Sequence, residues 1–288
     1  MTGDPAALSA AWAEALTSWA IPPAILEAAP ESPYGFPSEL FARRGERAAI
    51  GDGRGAPTPT ASRALEALAE PGTVLDVGVG GGATSLPLAT RCTGLIVVDG
   101  QDDMLETVAR RGAGIGLPVT LVLGRWPDVA VETPLADVAV SGHVAYNVPD
   151  LDSFLTTLTA HARRRVVIEL TDRHPLSWMN DLWLRFHGLD RPDRPCADDA
   201  EALCAALGLD VLREDRVDTA ESAGSGFDRR EDAIGLVRRR LCLPPERDAE
   251  IAEALGPRLH EHGGLWSAGP AEQRVITLWW DVHRGAAT

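Results

Sequence analysis

Val74-Leu75-Asp76-Val77-Gly78-Val79-Gly80-Gly81-Gly82-Ala83 decides how the chain is read. Val74, Leu75 and Val77 suit a buried strand, and the glycines behind them suit a tight turn at which a ligand lies across the backbone without meeting Cβ atoms. The apolar spacing that follows predicts a helix near 83–90, whose N-terminus offers unpaired N–H groups. The next strand-like run, Leu95-Ile96-Val97-Val98-Asp99, ends in an acid about twenty residues past the turn, where a carboxylate accepts from both hydroxyls of a ribose. Strand, glycine turn and distal acid together form an adenosine-binding constellation.

Outward from that stretch, strand-like segments at 73–77, 94–99, 119–123, 136–140 and 165–170 alternate with helical patterns at 83–90, 101–111 and 151–162, the last opened by Asp150 or Asp152 as N-cap. This order predicts a parallel sheet with right-handed crossovers. Apolar residues at helical spacing over 6–19 (Leu8, Trp12, Leu16, Trp19) predict a first helix that Pro22-Pro23 stops. Further helices are expected at 177–187, 197–207, 231–241 and 246–260, and strands at 209–217 and 274–282.

Asp76 separates two cofactors that the glycine pattern alone admits. The run also fits the G-x-G-x-x-G/A fingerprint of dinucleotide sites, but a carboxylate two residues before the first glycine repels a pyrophosphate. S-adenosylmethionine brings an ammonium and a sulfonium and no phosphate. The run 74–82, with Val97-Val98-Asp99 and Met104-Leu105, resembles the class I S-adenosylmethionine-dependent methyltransferases of the small-molecule type. The likeness covers about 100 residues, from Thr73 to Thr171.

That resemblance implies an α/β, Rossmann-like doubly wound sheet of seven mostly parallel strands with an antiparallel last strand. It implies that Asp76, Gly78, Gly80 and Gly82 hold the methionine end and Asp99 the ribose. Gly100, Gln101, Met104 and the loop of Arg125 and Trp126 would face the adenine; where the family often has an acid in that loop, this chain has Arg125 and Trp126. The segment 136–149 is similar to the family's fourth motif, which adds Ser141 and His143 as cofactor contacts. Ser141 stands where metal-dependent members want an acid, so no metal is expected.

Domain boundaries follow from the same pattern: a helical N-terminal cap segment over 1–60, a methyltransferase core over 61–219 and 271–288, and a helical insertion over 220–270. Tyr34 and Phe36, in a turn-rich aromatic loop, and Tyr146, Asn147, His174 and Trp178 at the sheet's carboxyl edge are candidates for the acceptor pocket. His143 is a candidate general base, or a hydrogen-bonding partner of its loop or of the cofactor. Asn147 is equally read as a helix cap.

With 42 Asp+Glu against 27 Lys+Arg and a net charge of -15, the protein's field repels polyanions, which argues against a nucleic-acid partner and for a small-molecule acceptor. Every one of its cations other than histidine is an arginine. Cys92, Cys196, Cys204 and Cys242 form no C-x-x-C pair, so neither zinc nor a disulfide framework is expected, and a reduced cytoplasmic protein is. Asp4 and Glu14 interrupt the first residues, which do not read as a signal peptide, and no apolar run reaches the ~18 residues of a membrane helix. The competing readings are an NAD(P)-dependent oxidoreductase and a protein that binds S-adenosylmethionine without turnover.

Overall fold

The computed structural model describes residues 3–34, 57–219 and 226–283. Its centre is a seven-stranded sheet built from β1 (Gly72–Val77), β2 (Cys92–Asp99), β3 (Val119–Leu123), β4 (Ala136–Gly142), β5 (Ala162–Thr171), β6 (Leu212–Thr219) and β9 (Glu272–Asp281). The strand order is β3-β2-β1-β4-β5-β9-β6. β1 to β5 pair in parallel, and β9 runs antiparallel to both β5 and β6. The Rossmann-like sheet expected from the sequence is therefore present, with its last strand reversed.

Alternation along each strand feeds two cores, as the pleat requires. Leu75, Val77, Ile96, Val98, Ala139 and Ile168 face α5 (Leu151–His161) and α7 (Ala197–Ala206), joined by Phe154, Leu158 and Leu203. Val74, Leu95, Val97, Val138, Val140 and Val167 face the other way, onto α3 (Pro59–Ala67) and α4 (Asp102–Gly114), through Ala64, Leu105 and Val108. Strand order reverses between β1 and β4, which pair from Val74↔Val138 to Asp76↔Val140. The carboxyl ends of these two strands form the crevice where open α/β sheets take ligands.

The N-terminal helix α1 (Pro5–Thr17) lies against α5 and α7 and is part of the first core. Trp12 is buried there, its indole N–H donating to the Val148 carbonyl at 2.9 Å. A third cluster unites Ile21 and Ile25 around α2 (Pro23–Ala28) with Met179, Leu182 and Trp183 around α6 (Asn180–His187). Ile234 and Val237 of α8 (Arg230–Arg240) and Ile251 and Leu255 of α9 (Asp248–Leu255) complete it.

Two elements differ from the sequence reading. Residues 83–90 form turns with one short 3-10 segment, Leu86–Leu88, in place of a helix. Pro87 lacks an N–H and crowds the preceding turn, so an α-helix cannot pass through it. The helix expected over 246–260 stops at Leu255, where Gly256-Pro257 follows, and the chain turns into a hairpin of β7 (Leu259–His262) and β8 (Leu265–Ala268). Gly263 and Gly264 form its two-residue turn with φ of 59° and 81°, the left-handed pair that such hairpins need. The described part of the 220–270 segment is thus helical and β-hairpin together.

Candidate active site

Gly78, Gly80 and Gly82 carry φ of 73°, 47° and 80°, a conformation L side chains rarely adopt. Two of the turn's N–H groups, of Gly78 and Val79, donate to the Val98 carbonyl at 2.8 and 3.2 Å, hanging the turn from the end of β2. Arg111 of α4 donates to the Gly81 carbonyl from the other side. Asp99 accepts from Gly80 N–H on Oδ2 at 3.0 Å and from Gln101 N–H on Oδ1 at 3.0 Å. These bonds fix the carboxylate, and each oxygen retains a lone pair for a hydroxyl donor.

Asp76 lies under the turn with no exposed surface; the buried Ser85 hydroxyl and its N–H are near, but neither is aligned for a full hydrogen bond to the carboxylate. Burial pushes the Asp76 carboxyl up to about 7, and the Asp99 charge adds to this, while the nearby Ser85 hydroxyl and N–H act against it. A buried carboxylate with no partner is costly. A positive charge or N–H donors brought to this position would remove the cost, and a pyrophosphate would increase it.

The end of β4 adjoins the turn. Val144 packs into the space that Gly78 leaves, and a Cβ on Gly142 would stand 2.4 Å from Thr84 Oγ1, so the two loops interlock. His143, between Gly142 and Val144, has a φ of 60°, a left-handed conformation uncommon outside glycine. Its N–H donates to the Glu169 carbonyl at 2.8 Å, and its Nε2 lies 3.0 Å from Glu169 Oε1. Glu169 is itself buried. Its other oxygen, Oε2, accepts from Thr60 Oγ1 at 2.5 Å and from Arg216 Nη1 at 2.7 Å, and Thr60 also meets Thr277 Oγ1 at 2.8 Å. Burial alone would raise the Glu169 carboxyl, but His143 and Arg216 outweigh it and hold the group well below the usual carboxylate range.

Gln101 is exposed and Gly100 has open space where a Cβ would stand, whereas Met104 is buried. Arg125 is exposed, but Trp126 is buried, T-shaped to His161, with its indole N–H donating to the Phe154 carbonyl at 3.3 Å. The Ser141 hydroxyl donates to the Val77 carbonyl at 2.9 Å, tying β4 to β1. Tyr146 is buried beside Trp12 and donates to the Thr171 carbonyl at 2.5 Å. The polar groups of Trp126, Ser141 and Tyr146 are thus each bonded to a backbone carbonyl within the fold.

Asn147 is exposed, and its amide reaches the Val144 carbonyl at 3.4 Å; Asp150 stands at the N-cap of α5 without a side-chain bond. His174 stacks on Trp19 at 3.8 Å, and burial, helped by Arg191, pulls its imidazole down to about 4. Trp178 packs with the third cluster under Arg258. Tyr34 is 56% exposed, and Phe36 lies outside the described residues. Glu169, Arg216, Thr60 and Thr277 were not among the predicted site residues. An acid inside the apolar run Val166-Val167-Ile168-Glu169-Leu170 is a signal for the first; nothing local marks the other three.

Residues 74–165 match the family model described as a methyltransferase domain. The sheet order and the glycine turn are consistent with a methyltransferase domain of class I. The chain is 33% identical over 103 residues to an uncharacterized protein of Haemophilus influenzae, a match covering 35% of this chain and 38% of that protein. Among solved structures, the YcgJ protein from Bacillus subtilis is similar with 16% identity and a TM-score of 0.48, over 78% of this chain and 99% of that one. Magnesium protoporphyrin IX methyltransferase from Synechocystis, solved with bound S-adenosylhomocysteine, is similar with 13% identity and a TM-score of 0.46, over 85% of this chain and 90% of that one.

Among the described residues no helix is long and apolar enough to cross a membrane.

Proposed function

We propose that the protein transfers a methyl group from S-adenosylmethionine to a small organic acceptor by in-line displacement, without a metal. The observation that carries this reading is Asp76, a fully buried carboxylate with no charged partner and only Ser85 as a nearby donor among the described residues, directly beneath a glycine turn whose far side is held by a second carboxylate, Asp99. When bound, S-adenosylmethionine supplies an electrophilic methyl carbon on a sulfonium.

The chain's own residues do the rest. Asp76 offsets positive charge at the methionine end, Asp99 takes the ribose hydroxyls, and Gly78, Gly80 and Gly82 let the backbone approach. In-line displacement needs no covalent enzyme intermediate, and much of its rate comes from holding the acceptor close and aligned. His143, at the carboxyl edge of β4 and beside the turn, is the group placed to take a proton. The net charge of -15 favours a small acceptor over a polyanion. A cytoplasmic location accords with the free cysteines.

A nicotinamide dinucleotide is disfavoured on two grounds. Asp76 would face its pyrophosphate, and the turn leads into Leu86–Leu88 and not into the regular helix whose N-terminus holds phosphate in dinucleotide sites. The test is calorimetric titration of the purified protein with S-adenosylmethionine, S-adenosylhomocysteine and the nicotinamide dinucleotides in parallel. Binding of the two sulfur nucleosides alone is the expected result. Binding of the dinucleotides alone overturns the reading, and nucleoside binding with no methylation across an acceptor screen reduces it to a non-catalytic binder.

A further inference from the structure

We infer that Glu169 is the positioning residue for His143, fixing the imidazole with its proton on Nε2 so that Nδ1 takes the proton of an acceptor whose nucleophilic atom carries one. This rests on the methyltransferase reading and narrows its substrate class to hydroxyl, ammonium or similar protonated nucleophiles.

Three observations converge on it. First, Nε2 is the buried ring nitrogen and lies at an ion-pair distance of 3.0 Å from a carboxylate oxygen, though not aligned as a hydrogen bond to it, while the side chain as a whole is 26% exposed. An ionised carboxylate only accepts, so the proton belongs on Nε2 and Nδ1 keeps its lone pair. Second, Glu169 cannot swing away: Thr60 and Arg216 hold its Oε2, and Arg216 is held in turn by Asp218 through Nε to Oδ1 at 2.7 Å. The charged groups in this cluster are Glu169 on β5 and Arg216 and Asp218 on β6. Third, His143 pays for its place with a left-handed backbone, the kind of local strain that persists where surrounding structure over-determines a residue.

A structural ion pair explains Arg216 with Glu169. It does not explain why the second carboxylate oxygen is turned to an imidazole on a strained loop packed against the glycine turn. In the transfer, the acceptor's lone pair forms the bond to the methyl carbon as the sulfur–carbon bond breaks with its electron pair going to sulfur. The acceptor's proton passes to His143 Nδ1, giving an imidazolium paired with Glu169, and leaves later to water.

The experiment compares Glu169→Gln with Arg216→Met. Nitrogen-15 NMR of the imidazole in the ligand-free protein at neutral pH reads the tautomer independently of activity. The expected result is Nε2–H for His143 in the wild type and in R216M, and a substantial Nδ1–H population in E169Q. In turnover, E169Q is expected to lower kcat by about 10- to 100-fold with the KM for S-adenosylmethionine unchanged, a part of the 10²–10⁴ that general-base catalysis supplies. Wild-type tautomer and kcat in E169Q overturn the inference, as does an equal fall in kcat in both variants that tracks thermal stability. If wild-type protein binds no S-adenosylmethionine, the proposed function fails, while the tautomer still reports whether Glu169 positions the ring.

Discussion

The Cβ that Gly78 lacks would stand 2.3 Å from Cγ2 of Val144, so the glycine turn after β1 and the His143 loop after β4 are packed into one another. The position is doubly constrained, because its φ of 73° is also one that a side chain disfavours. Gly78→Ala is therefore expected to do more than strain a turn. A left-handed alanine costs about 1–2 kcal/mol, and overpacking against Val144 adds about 1–3 kcal/mol. Urea unfolding should show a loss of at least ~2 kcal/mol, and S-adenosylmethionine titration should show weakened binding as the two loops separate. A variant with wild-type stability and affinity would mean that this packing is not tight.

How legible the molecule was in its sequence depended on how local the cause was. β1, β2 and β4 could be read because buried parallel strands are near-continuous apolar runs, and Asp76 and Asp99 because strand ends lead into glycine and turn residues. The helix over 83–90 failed on Pro87, a residue whose effect on a helix was there to be weighed. The β7–β8 hairpin was hidden because short strands of four residues sit inside a longer helical spacing, although Gly263-Gly264 is itself a turn signal. The roles of Ser141, Trp126 and Tyr146 depended on which carbonyl each reached, those of Val77, Phe154 and Thr171, and no sequence spacing encodes that. The Glu169–Arg216 pair joins β5 to a strand 47 residues further along, beyond any local pattern.

Trp12 tests whether the N-terminal helix is an appendage or part of the core. Its ring is 2% exposed, stacks near Tyr146 at 5.9 Å and gives its N–H to Val148. Trp12→Ala should cost about 3–5 kcal/mol, the usual loss for an aromatic cut from a packed core. Denaturant midpoints with an unchanged slope would check this. A loss below ~1 kcal/mol would mean that the helix docks too weakly to belong to the core.

His174 should make stability depend on pH in a known direction. Its imidazole titrates at about 4 in the folded chain, against the ordinary value near 6.5. Between these values the unfolded chain binds the extra proton, so His174's contribution is fully present above 6.5 and is lost as pH falls through 4. His174→Phe, which keeps an aromatic ring beside Trp19, removes that dependence. Relative to wild type the variant should gain at most about 3 kcal/mol on going from pH 7.5 to pH 4. Parallel stability curves for the two proteins would show that the imidazole is not held neutral.

Asp76 works in the opposite sense, and its variant separates ligand binding from folding. The carboxyl titrates at about 7 in the folded chain, so between about 4 and 7 the folded protein binds the extra proton and its stability falls as pH rises. Asp76→Asn removes the ionisable group. The ligand-free variant should therefore gain stability over wild type between pH 4 and pH 8 by an amount on the order of 4 kcal/mol. Affinity for S-adenosylmethionine should move the other way: wild-type binding should strengthen by about an order of magnitude between pH 6 and pH 7.5 as Asp76 ionises, and D76N should bind weakly with a flat profile. A more stable variant that binds as tightly as wild type at pH 7.5 would mean that the buried carboxylate is a cost borne for something other than the cationic end of the cofactor.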